Sequence, residues 1–458
     1  MTSLSPIFRT DSYKFSHYKQ YPPGTTRISS YIEPRGGGNV MFFGLQAFLK
    51  DLPKVTYDDI ATAREISVMH GVPFNEKGWR QIVEKWDGYL PLSIQAVPEG
   101  LVMPSRVPQV QVANIDNELP WVTSYFETAL LRAVWYPSTV ATISFRIRKI
   151  IAAALEKSGD PSGLPFKLHD FGARGVSSSE SAAIGGLAHL VNFSGTDNIE
   201  ALLLARNAYR CQMAGFSIPA AEHSTITSWG PAREVDAYRN MLTAFPGSPL
   251  VAVVSDSYDI FNAVRNIWGD KLKQEVIDLG ANQRTLVIRP DSGDPLSTLL
   301  AIFSILYEKF PASTNKKGYK VFPSYVRVIQ GDGVNERSID DILTAMLERG
   351  WSADNIAFGM GGALLQKLDR DTFKYAMKAN EAVINGTAVP VFKAPFGDPG
   401  KASKKGRQAV VWDYQFQDYF SVAEEQYPDN LLKEVWRAGE FKREYTLDDV
   451  RKLASQAS

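Results

Sequence analysis

Apolar and polar positions alternate in a regular way between Lys167 and about Gly362. Short runs rich in Val, Ile and Leu are followed by helix-compatible stretches at intervals of about 30 residues, and each run ends in a polar or glycine-containing cluster. Seven such clusters occur, at residues 168–174, 190–197, 220–223, 251–257, 286–293, 326–333 and 356–362. The pattern predicts parallel strands buried on both faces, and therefore an α/β fold with a closed or incomplete β/α barrel.

All seven polar clusters fall where the predicted strands end. In β/α barrels the loops at the carboxyl ends of the strands carry the chemistry. A set of unrelated helix caps would not explain why every cluster lies at this end. We therefore expect a single active site to be built there.

The chain outside the barrel predicts a discontinuous α+β domain. Residues 25–33 alternate apolar and polar side chains as a half-buried strand does. Further predicted elements are helices at about 43–50, 57–69, 75–87, 120–135 and 138–157, short strands between 91 and 113, strands at 388–392 and 409–412, and a helix from about Thr446. We divide the chain into an N-terminal α+β part (1–165), the barrel (166–384) and a C-terminal part (385–458) that packs back on the N-terminal part.

Composition narrows the class of partner. The 458 residues include 50 basic and 50 acidic side chains, so no net charge recruits nucleic acid or an acidic membrane. The single cysteine, Cys211, excludes an intrachain disulfide and a cysteine-based metal site, which fits a reducing compartment. Neither an N-terminal signal pattern nor an apolar run of about 18 residues is found. These features predict a cytoplasmic enzyme with neither nucleic-acid nor membrane partners.

Familiar phosphate-binding motifs are absent. The sequence contains neither a P-loop nor a complete Gly-x-Gly-x-x-Gly after a predicted strand. Phosphate would instead be bound by Arg174, Arg289 and Arg370, helped by backbone N–H groups of the glycine-containing loops 331–333 and 359–362. A single arginine is more often structural, but three beside such loops indicate an anion site.

His223 is one of five histidines and lies between a short apolar run and a predicted helix start. Ser224, Thr225 and Thr227 are candidate caps of that helix, which would place the imidazole near unpaired N–H groups where a phosphate binds. The alternative interpretation is a satisfied core histidine beside a cap. The residues by themselves leave both interpretations open.

Three segments outside the barrel offer groups for a ligand. Residues 11–24 are too polar for a core strand and form either a surface arm or a flap that offers Tyr13 or Tyr18 for stacking. Arg35 lies in a glycine-rich loop, and residues 400–407 form a compact basic loop. Each of these basic loops is either solvated or in contact with phosphate.

Several long motifs together resemble the nicotinamide phosphoribosyltransferases, members of the type II phosphoribosyltransferase family. They are Asp11-Ser-Tyr-Lys, His17-Tyr-Lys-Gln-Tyr-Pro-Pro, Lys167-Leu-His-Asp-Phe-Gly, Arg174-Gly-Val-Ser-Ser, Gly195-Thr-Asp, Pro219-Ala-Ala-Glu-His-Ser-Thr-Ile, Val254-Ser-Asp-Ser-Tyr-Asp, Ile288-Arg-Pro-Asp-Ser-Gly, Val328-Ile-Gln-Gly-Asp-Gly and Ser403-Lys-Lys-Gly-Arg. The resemblance implies transfer of phosphoribose from 5-phosphoribosyl-1-pyrophosphate to nicotinamide, which yields nicotinamide mononucleotide and pyrophosphate for NAD salvage. It also implies Mg²⁺, ATP as a phosphoryl donor, and a homodimer with shared sites.

The resemblance assigns roles to matching residues. Phe171 and Tyr13 of the partner subunit stack on the pyridine ring, and Asp197 accepts a hydrogen bond from the carboxamide. His223 is the residue phosphorylated by ATP, and Asp259 is its hydrogen-bonding partner. Residues that match the surroundings of the ribose and phosphates are Arg174, Arg289, Asp291, Gly331, Asp332, Gly361, Gly362 and Arg370, with Lys393 and Arg35 reaching the 5-phosphate from the partner subunit. The resemblance leaves the metal ligands unassigned.

Two positions depart from the family pattern, and two other functions compete with the implied one. Ala173 stands where relatives often have Tyr, and Met360 stands where Ser is common. A nicotinate or quinolinate phosphoribosyltransferase would need a cation opposite the substrate carboxylate, and Asp197 argues against it. A non-catalytic dimeric ligand-binding or signalling protein is disfavoured because all seven polar clusters are intact.

Overall fold

The computed structural model describes residues 4–397, 402–424, 427 and 429–457. The chain divides into two compact units. The first unit comprises Met1–Thr142, Asn207–Cys211 and Leu368–Ser458, and the barrel unit comprises Ile143–Arg206 and Gln212–Lys367. These divisions fall near residues 142 and 367, whereas the sequence suggested 165 and 384.

The strands and helices are numbered in chain order. The strands are β1 Thr25–Glu33, β2 Asn39–Met41, β3 Leu92–Ala96, β4 Val102–Pro104, β5 Val110–Asn114, β6 Leu168–Asp170, β7 Gly195–Thr196, β8 Leu250–Val254, β9 Thr285–Arg289, β10 Ser313–Thr314, β11 Lys320–Val321, β12 Val326–Gln330, β13 Ile356–Met360, β14 Ala376–Ile384, β15 Thr387–Pro390, β16 Gln408–Asp413, β17 Asp418–Ala423, β18 Lys433–Arg437 and β19 Glu440–Phe441. The α-helices are α1 Leu45–Lys50, α2 Tyr57–His70, α3 Glu76–Trp86, α4 Val122–Tyr125, α5 Glu127–Ser158, α6 Ser179–His189, α7 Ile199–Tyr209, α8 His223–Thr227, α9 Glu234–Thr243, α10 Ile260–Asn262, α11 Lys273–Ala281, α12 Pro295–Lys309, α13 Glu336–Glu348, α14 Gly362–Leu365 and α15 Leu447–Ser455. A π-helical segment covers Ala263–Lys271, and 3₁₀ turns include Ser12–Lys19 and Ala173–Gly175.

The first unit is built on a seven-stranded sheet with the order β15-β14-β1-β5-β3-β18-β19. β1 lies between β14 and β5, and both pairings are antiparallel. β18 pairs with β3 in the same sense. Strands from the C-terminal part therefore complete a sheet begun by the N-terminal part, which confirms the predicted discontinuous α+β domain.

Helix α5 corrects one prediction about the N-terminal part. The sequence suggested two helices separated near Pro137, whereas a single helix of 32 residues runs through this proline. An interior proline costs about 3 kcal/mol because it removes a backbone donor and its ring crowds the preceding turn. Val134, Val140 and Ala141 are fully buried on either side of it, and their packing offsets this cost. None of the described helices combines the length and the apolarity that crossing a membrane requires.

The barrel unit contains a six-stranded parallel sheet with the order β7-β6-β13-β12-β9-β8. The third of the seven predicted strands, near residue 220, is not a regular strand. Instead, Phe216 forms a parallel bridge to Gly195 at one edge of the sheet, and Ala220 forms one to Ala252 at the other. The sheet is thus an incomplete barrel whose two edges are joined by residues 216–220, which confirms the predicted fold class.

Apolar side chains fill the interior of the barrel. Ala252, Val287 and Ile329, from β8, β9 and β12, form a buried cluster. Phe171 and Ile218 pack against this cluster and are partly buried. The cluster therefore packs against both Phe171 and the segment 216–220 that joins the edges of the sheet.

Candidate active site

The ring of Phe171 lies over glycines at the ends of two neighbouring strands. A Cβ atom added at Gly359 would be 2.0 Å from the ring, so β13 can pass here only without a side chain. A Cβ added at Gly331 would lie 3.5 Å from the ring, 3.5 Å from Asp291 Oδ1 and 3.7 Å from Arg289 Cδ. Phe171, Arg289 and Asp291 therefore surround one point at the end of β12.

Asp197 follows β7, and its carboxylate is exposed. Its backbone N–H donates to the carbonyl of Asp170 at 3.1 Å, which ties it to the end of β6. The hydroxyl of Ser217 donates to Asp197 Oδ1. Ser217 was not among the predicted site residues, although its place on the segment that joins the barrel edges could have indicated it. A carboxylate next to a hydroxyl suits an amide group of a ligand.

His223, Asp256 and Asp291 form the polar centre of the site. His223 Nε2 lies 3.0 Å from Asp256 Oδ1, and Nδ1 lies 3.9 Å from Asp291 Oδ2. The other oxygen of Asp256 accepts the backbone N–H of Asp291 at 3.1 Å. Because a carboxylate only accepts, this contact favours the tautomer that is protonated at Nε2 and leaves the lone pair on Nδ1.

Asp259 is not the hydrogen-bonding partner of His223, which corrects the expectation. Its Oδ1 accepts the backbone N–H groups of Phe261 at 2.9 Å and Asn262 at 3.0 Å, so it caps helix α10. Asp256 is the acidic residue that contacts the imidazole, and its side chain is only 3% exposed. The partner therefore lies two residues after the end of β8 rather than at the start of the next helix.

The expected caps of the helix that follows His223 are also corrected. His223 is itself the first residue of α8, and Glu222 occupies the N-cap position without a side-chain cap. Thr225 and Thr227 donate from their hydroxyls to the carbonyls of Glu222 and His223, at 2.9 and 2.8 Å. Ser224 donates to the carboxylate of Glu222. The hydroxyls bond within this turn, and they leave the imidazole half exposed.

Arg289 has an unpaired donor beside this centre. Its side chain is 14% exposed, and Nη2 is 3.7 Å from Asp291 Oδ2. Its Nε is buried without a hydrogen-bond partner. Burial raises the pKa of the Asp291 carboxyl, while the Arg289 guanidinium opposes this and the charges of Asp256 and Asp332 reinforce it. A guanidinium with an unused donor is suited to bind an oxyanion.

A family model for nicotinate phosphoribosyltransferase (NAPRTase) matches residues 166–440, which is more than half of the chain. The chain belongs to the nicotinate phosphoribosyltransferase family. A second model, for the N-terminal domain of nicotinamide phosphoribosyltransferase, matches residues 5–94. The resemblance inferred from the sequence motifs is thereby confirmed, and so is the prediction that the protein is a phosphoribosyltransferase enzyme.

The similarity to two nicotinamide phosphoribosyltransferases covers nearly the whole chain. The nicotinamide phosphoribosyltransferase of Xanthomonas campestris pv. campestris is 52% identical, with 98% of each chain covered. That of Acinetobacter baylyi is 30% identical and covers 99% of this chain and 97% of its own. The crystal structure of nicotinate-nucleotide pyrophosphorylase from Pyrococcus furiosus aligns with a TM-score of 0.60 at 16% identity over 98% of this chain and 93% of that chain. At that identity the match supports the fold alone.

The remaining predicted residues of the barrel unit lie around these strand ends. Arg174 and Asp332 are exposed. Gly361 precedes α14, and a Cβ added there would lie 3.5 Å from the carbonyl oxygen of Phe171. Gly362 has open space where a side chain would be. Met360, one of the two departures from the family pattern, is only 1% exposed, so its side chain belongs to the core and not to the loop surface.

The first unit carries the other predicted ligand-binding residues of this family member. Arg35, Arg106, Ser403 and Lys404 line a pocket of about 210 Å³ together with Glu33 and Ala402. Arg35 Nε donates to Glu33 at 3.0 Å, and its Nη2 is buried without a partner. Of the predicted basic loop 400–407, Gly400 and Lys401 lie outside the described residues.

Lys393 is attached to the same loop, whereas Tyr13 and Arg370 are exposed elsewhere on the first unit. The backbone N–H of Lys393 donates to Ser403 Oγ at 2.8 Å, and the N–H of Ser403 donates to the Lys393 carbonyl at 2.8 Å. Tyr13 is 59% exposed on its 3₁₀ segment. The side chain of Arg370 is 54% exposed and pairs with Asp371 at 3.1 Å.

Proposed function

We propose that this protein transfers the phosphoribosyl group of 5-phosphoribosyl-1-pyrophosphate to nicotinamide and releases pyrophosphate, which supplies nicotinamide mononucleotide for NAD salvage. The observation that carries the choice of base is the exposed Asp197 carboxylate, which accepts a hydrogen bond from Ser217 at the barrel end that holds Phe171. A carboxamide N–H can donate to Asp197. A nicotinate carboxylate would meet a like charge there.

The residue types suit this reaction. Breaking the bond between C1 of the ribose and the pyrophosphate oxygen leaves positive charge on the sugar and adds negative charge to the leaving group. Arg289, with its unused buried donor, can stabilise the leaving group. The pyridine nitrogen of nicotinamide is already unprotonated at neutral pH, so the reaction requires no general base. The ring of Phe171 orients the pyridine ring for attack.

Magnesium is proposed as the metal. Among the described residues, no cluster of three or more His, Cys, Asp or Glu side chains has the arrangement of a metal site. Mg²⁺ does not need a cluster of three protein ligands, because it is commonly bound by one or two carboxylates together with substrate phosphates and water. Asp291 is the carboxylate that would hold it, and the ion would neutralise charge on the pyrophosphate.

The pocket of the first unit is proposed to bind a phosphate group. Arg35, Arg106 and Lys404 supply three cationic side chains, and the buried Nη2 of Arg35 is an unpaired donor. Lys393 lies next to this loop through its hydrogen bonds with Ser403. In the shared-site homodimer implied by the family resemblance, this pocket and Tyr13 would serve the site of the partner subunit. The cytoplasmic location stays a prediction from the sequence.

ATP is proposed to phosphorylate His223. The contact between Nε2 and Asp256 favours a lone pair on Nδ1, which can attack the γ-phosphorus of ATP; an N–P bond forms, the bond to the β,γ-bridging oxygen breaks, and ADP leaves. The phosphorylated imidazole would add negative charge near the leaving-group site, where it could bind Mg²⁺ and couple ATP hydrolysis to tighter substrate binding. The transfer to nicotinamide does not itself need the imidazole.

The proposed reaction is tested by turnover of labelled 5-phosphoribosyl-1-pyrophosphate with Mg²⁺ and either nicotinamide, nicotinate or no base. We expect nicotinamide mononucleotide to form with kcat/KM on the order of 10³-fold above that for nicotinate, because the site both accepts the amide and repels the acid. Preference for nicotinate would contradict the proposed substrate. Binding of the base without any discharge of label would favour the non-catalytic alternative.

A further inference from the structure

Asp170 and Asn198 form a buried hydrogen bond between two strand ends of the barrel. Asp170 is the last residue of β6 and is 0% exposed, and Asn198 is 1% exposed. Asn198 Nδ2 donates to Asp170 Oδ2 at 3.0 Å. Asp170 immediately precedes Phe171, and Asn198 immediately follows Asp197. The bond therefore joins the residue beside the stacking ring to the residue beside the proposed carboxamide acceptor.

Every polar atom of the two side chains is used. Asp170 Oδ1 accepts the N–H of Gly172 at 2.7 Å, which fixes the turn that contains Phe171. Asn198 Nδ2 also donates to the carbonyl of Ala182 at 2.8 Å, and Asn198 Oδ1 accepts the N–H of Ala201 at 3.2 Å. A buried network in which each member is satisfied specifies one geometry, because any alternative leaves a polar group unpaired.

The neighbouring helix makes room for this pair. A Cβ atom added at Gly186 on α6 would lie 2.4 Å from Asn198 Nδ2 and 2.8 Å from Asp170 Oδ2. Glycine is unfavourable in a helix interior by about 1 kcal/mol relative to alanine. Its presence at this contact is explained by the space that the Asp170–Asn198 bond requires.

We propose that Asp170 and Asn198 are a positioning pair, which sets the distance between the Phe171 ring and the Asp197 carboxylate and thereby the binding and selection of the pyridine base. This inference rests on the proposed function, because it assigns Phe171 and Asp197 to the base. Both Asp170 and Asn198 are buried, so they would act on the substrate through their neighbours in the chain.

The test uses two single variants and their combination. Asn198→Asp places two carboxyl groups against each other, and Asp170→Asn leaves a single acceptor oxygen for two donors, the Gly172 N–H and Asn198 Nδ2. The double variant, Asp170→Asn with Asn198→Asp, reverses the direction of the hydrogen bond and re-forms it, although it loses the donor to Ala182. A role in positioning therefore predicts rescue in the double variant.

We expect the variants to change KM for nicotinamide and to leave KM for 5-phosphoribosyl-1-pyrophosphate nearly unchanged. Because a misplacement of 1 Å can cost about 100-fold, we expect each single variant to raise KM for nicotinamide at least about 10-fold. KM for 5-phosphoribosyl-1-pyrophosphate should stay within about 2-fold, and the double variant should return KM for nicotinamide to within about 3-fold of wild type. The ratio of kcat/KM for nicotinamide to that for nicotinate should fall in the single variants and recover in the double variant.

Asn355→Asp is the matched control. Asn355 is also a buried asparagine of the barrel unit, with bonds from the Phe322 N–H and to the Lys320 and Ser352 carbonyls. It precedes β13, at the opposite end of the strand from Phe171. This variant should lower Tm and leave both KM values unchanged. If Asn198→Asp and Asp170→Asn behave in the same way, the pair is merely structural and the proposal is overturned.

Two further arms remove ambiguity. If a single variant does not fold, Gly186→Ala takes its place, because it displaces the pair without removing a hydrogen-bonding group. It should raise KM for nicotinamide and leave KM for 5-phosphoribosyl-1-pyrophosphate nearly unchanged. Unchanged values of both KM in that variant would overturn the proposal. If the wild-type enzyme prefers nicotinate, the proposed function fails, and the same comparison is made with nicotinate as the base. Calorimetric binding of the base to each variant supplies the readout where turnover is absent.

Discussion

Replacing Asp256 by asparagine should impair phosphorylation of His223, whereas the same replacement at Asp259 should not. The structure uses both oxygens of Asp256, one for His223 Nε2 at 3.0 Å and the other for the N–H of Asp291 at 3.1 Å. Asparagine has a single acceptor oxygen, so one of these two donors must lose its partner. Either the imidazole loses its orientation or the loop after β9 loses its anchor.

Asp259 provides the matched comparison. Its Oδ1 accepts both N–H groups of the α10 cap, from Phe261 and Asn262. Asparagine can supply the same single oxygen, and it is as good an N-cap residue as aspartate. Asp259→Asn should therefore keep the wild-type Tm and the wild-type rate of phosphorylation.

The magnitude follows from the hydrogen bond to the imidazole. A hydrogen bond that involves a charged group contributes about 1.5–3 kcal/mol. Since about 1.4 kcal/mol corresponds to a factor of ten, phosphorylation should slow by roughly 10- to 150-fold in Asp256→Asn. Phosphoribosyl transfer without ATP should be retained, because the transfer step needs no imidazole.

The measurement is single-turnover incorporation of label from γ-labelled ATP, with nicotinamide mononucleotide formation followed in parallel with and without ATP. His223→Ala serves as the blank and should incorporate no label while retaining some transfer. Label on the alanine variant at the wild-type level would contradict the assignment of His223. Loss of label in Asp259→Asn together with normal label in Asp256→Asn would refute the geometry argued from the two carboxylates.

Three other predictions concern the base, the dimer and pH. Asp197→Asn should lower kcat/KM for nicotinamide and narrow the gap to nicotinate, measured with both bases under identical conditions; an unchanged ratio would remove Asp197 from the selection of the base. Mixing Tyr13→Ala chains with Arg289→Ala chains should restore about one good site per heterodimer in an activity assay, and no rescue in proven heterodimers would exclude shared sites. Burial raises the pKa of the Asp170 carboxyl to about 6 from its ordinary value of 3.8. Between these two pH values the folded state therefore binds more protons than the unfolded state does. The contribution of Asp170 to the free energy of unfolding is fully present below about pH 4 and should be lost as pH rises towards 6. Urea unfolding should show this loss in the wild type and not in Asp170→Asn, and a difference between the two proteins that stays constant from pH 4 to 7 would contradict the argument.

The barrel could be predicted because its signal is carried by strands that are buried on both faces. β9 and β12 are short, largely apolar runs that end in Arg289 and Gln330, and each begins within one residue of the run expected from the sequence, at 286 and 326. Such runs cannot belong to a solvent-exposed sheet. The polar residues that follow them were correctly expected to converge, because parallel strands bring their carboxyl ends to one edge.

Other features depend on contacts that are distant in sequence. Residues 216–220 complete the barrel through isolated bridges to β7 and β8, so the strand predicted near residue 220 is replaced by single contacts with the two edges of the sheet. The continuation of α5 through Pro137 depends on burial by other parts of the first unit, which overrides the local preference to end the helix. The Asp170–Asn198 bond joins residues 28 positions apart, and only the fold brings them together.

A local sequence signal distinguishes Asp256 from Asp259. Both acids follow β8 in the same short segment, but Asp259 precedes Ile260 and Phe261, which is the pattern of an N-cap before the first turn of a helix. Ser255, by contrast, donates its N–H to the carbonyl of Arg289, so the chain is still attached to β9 when it reaches Asp256. The acid nearest the strand end therefore stays at the edge of the sheet beside Asp291, and the later one is committed to its helix. This distinction gives the two asparagine variants opposite expectations: Asp256 has two acceptor oxygens in use and cannot be replaced without loss, whereas Asp259 has one and can.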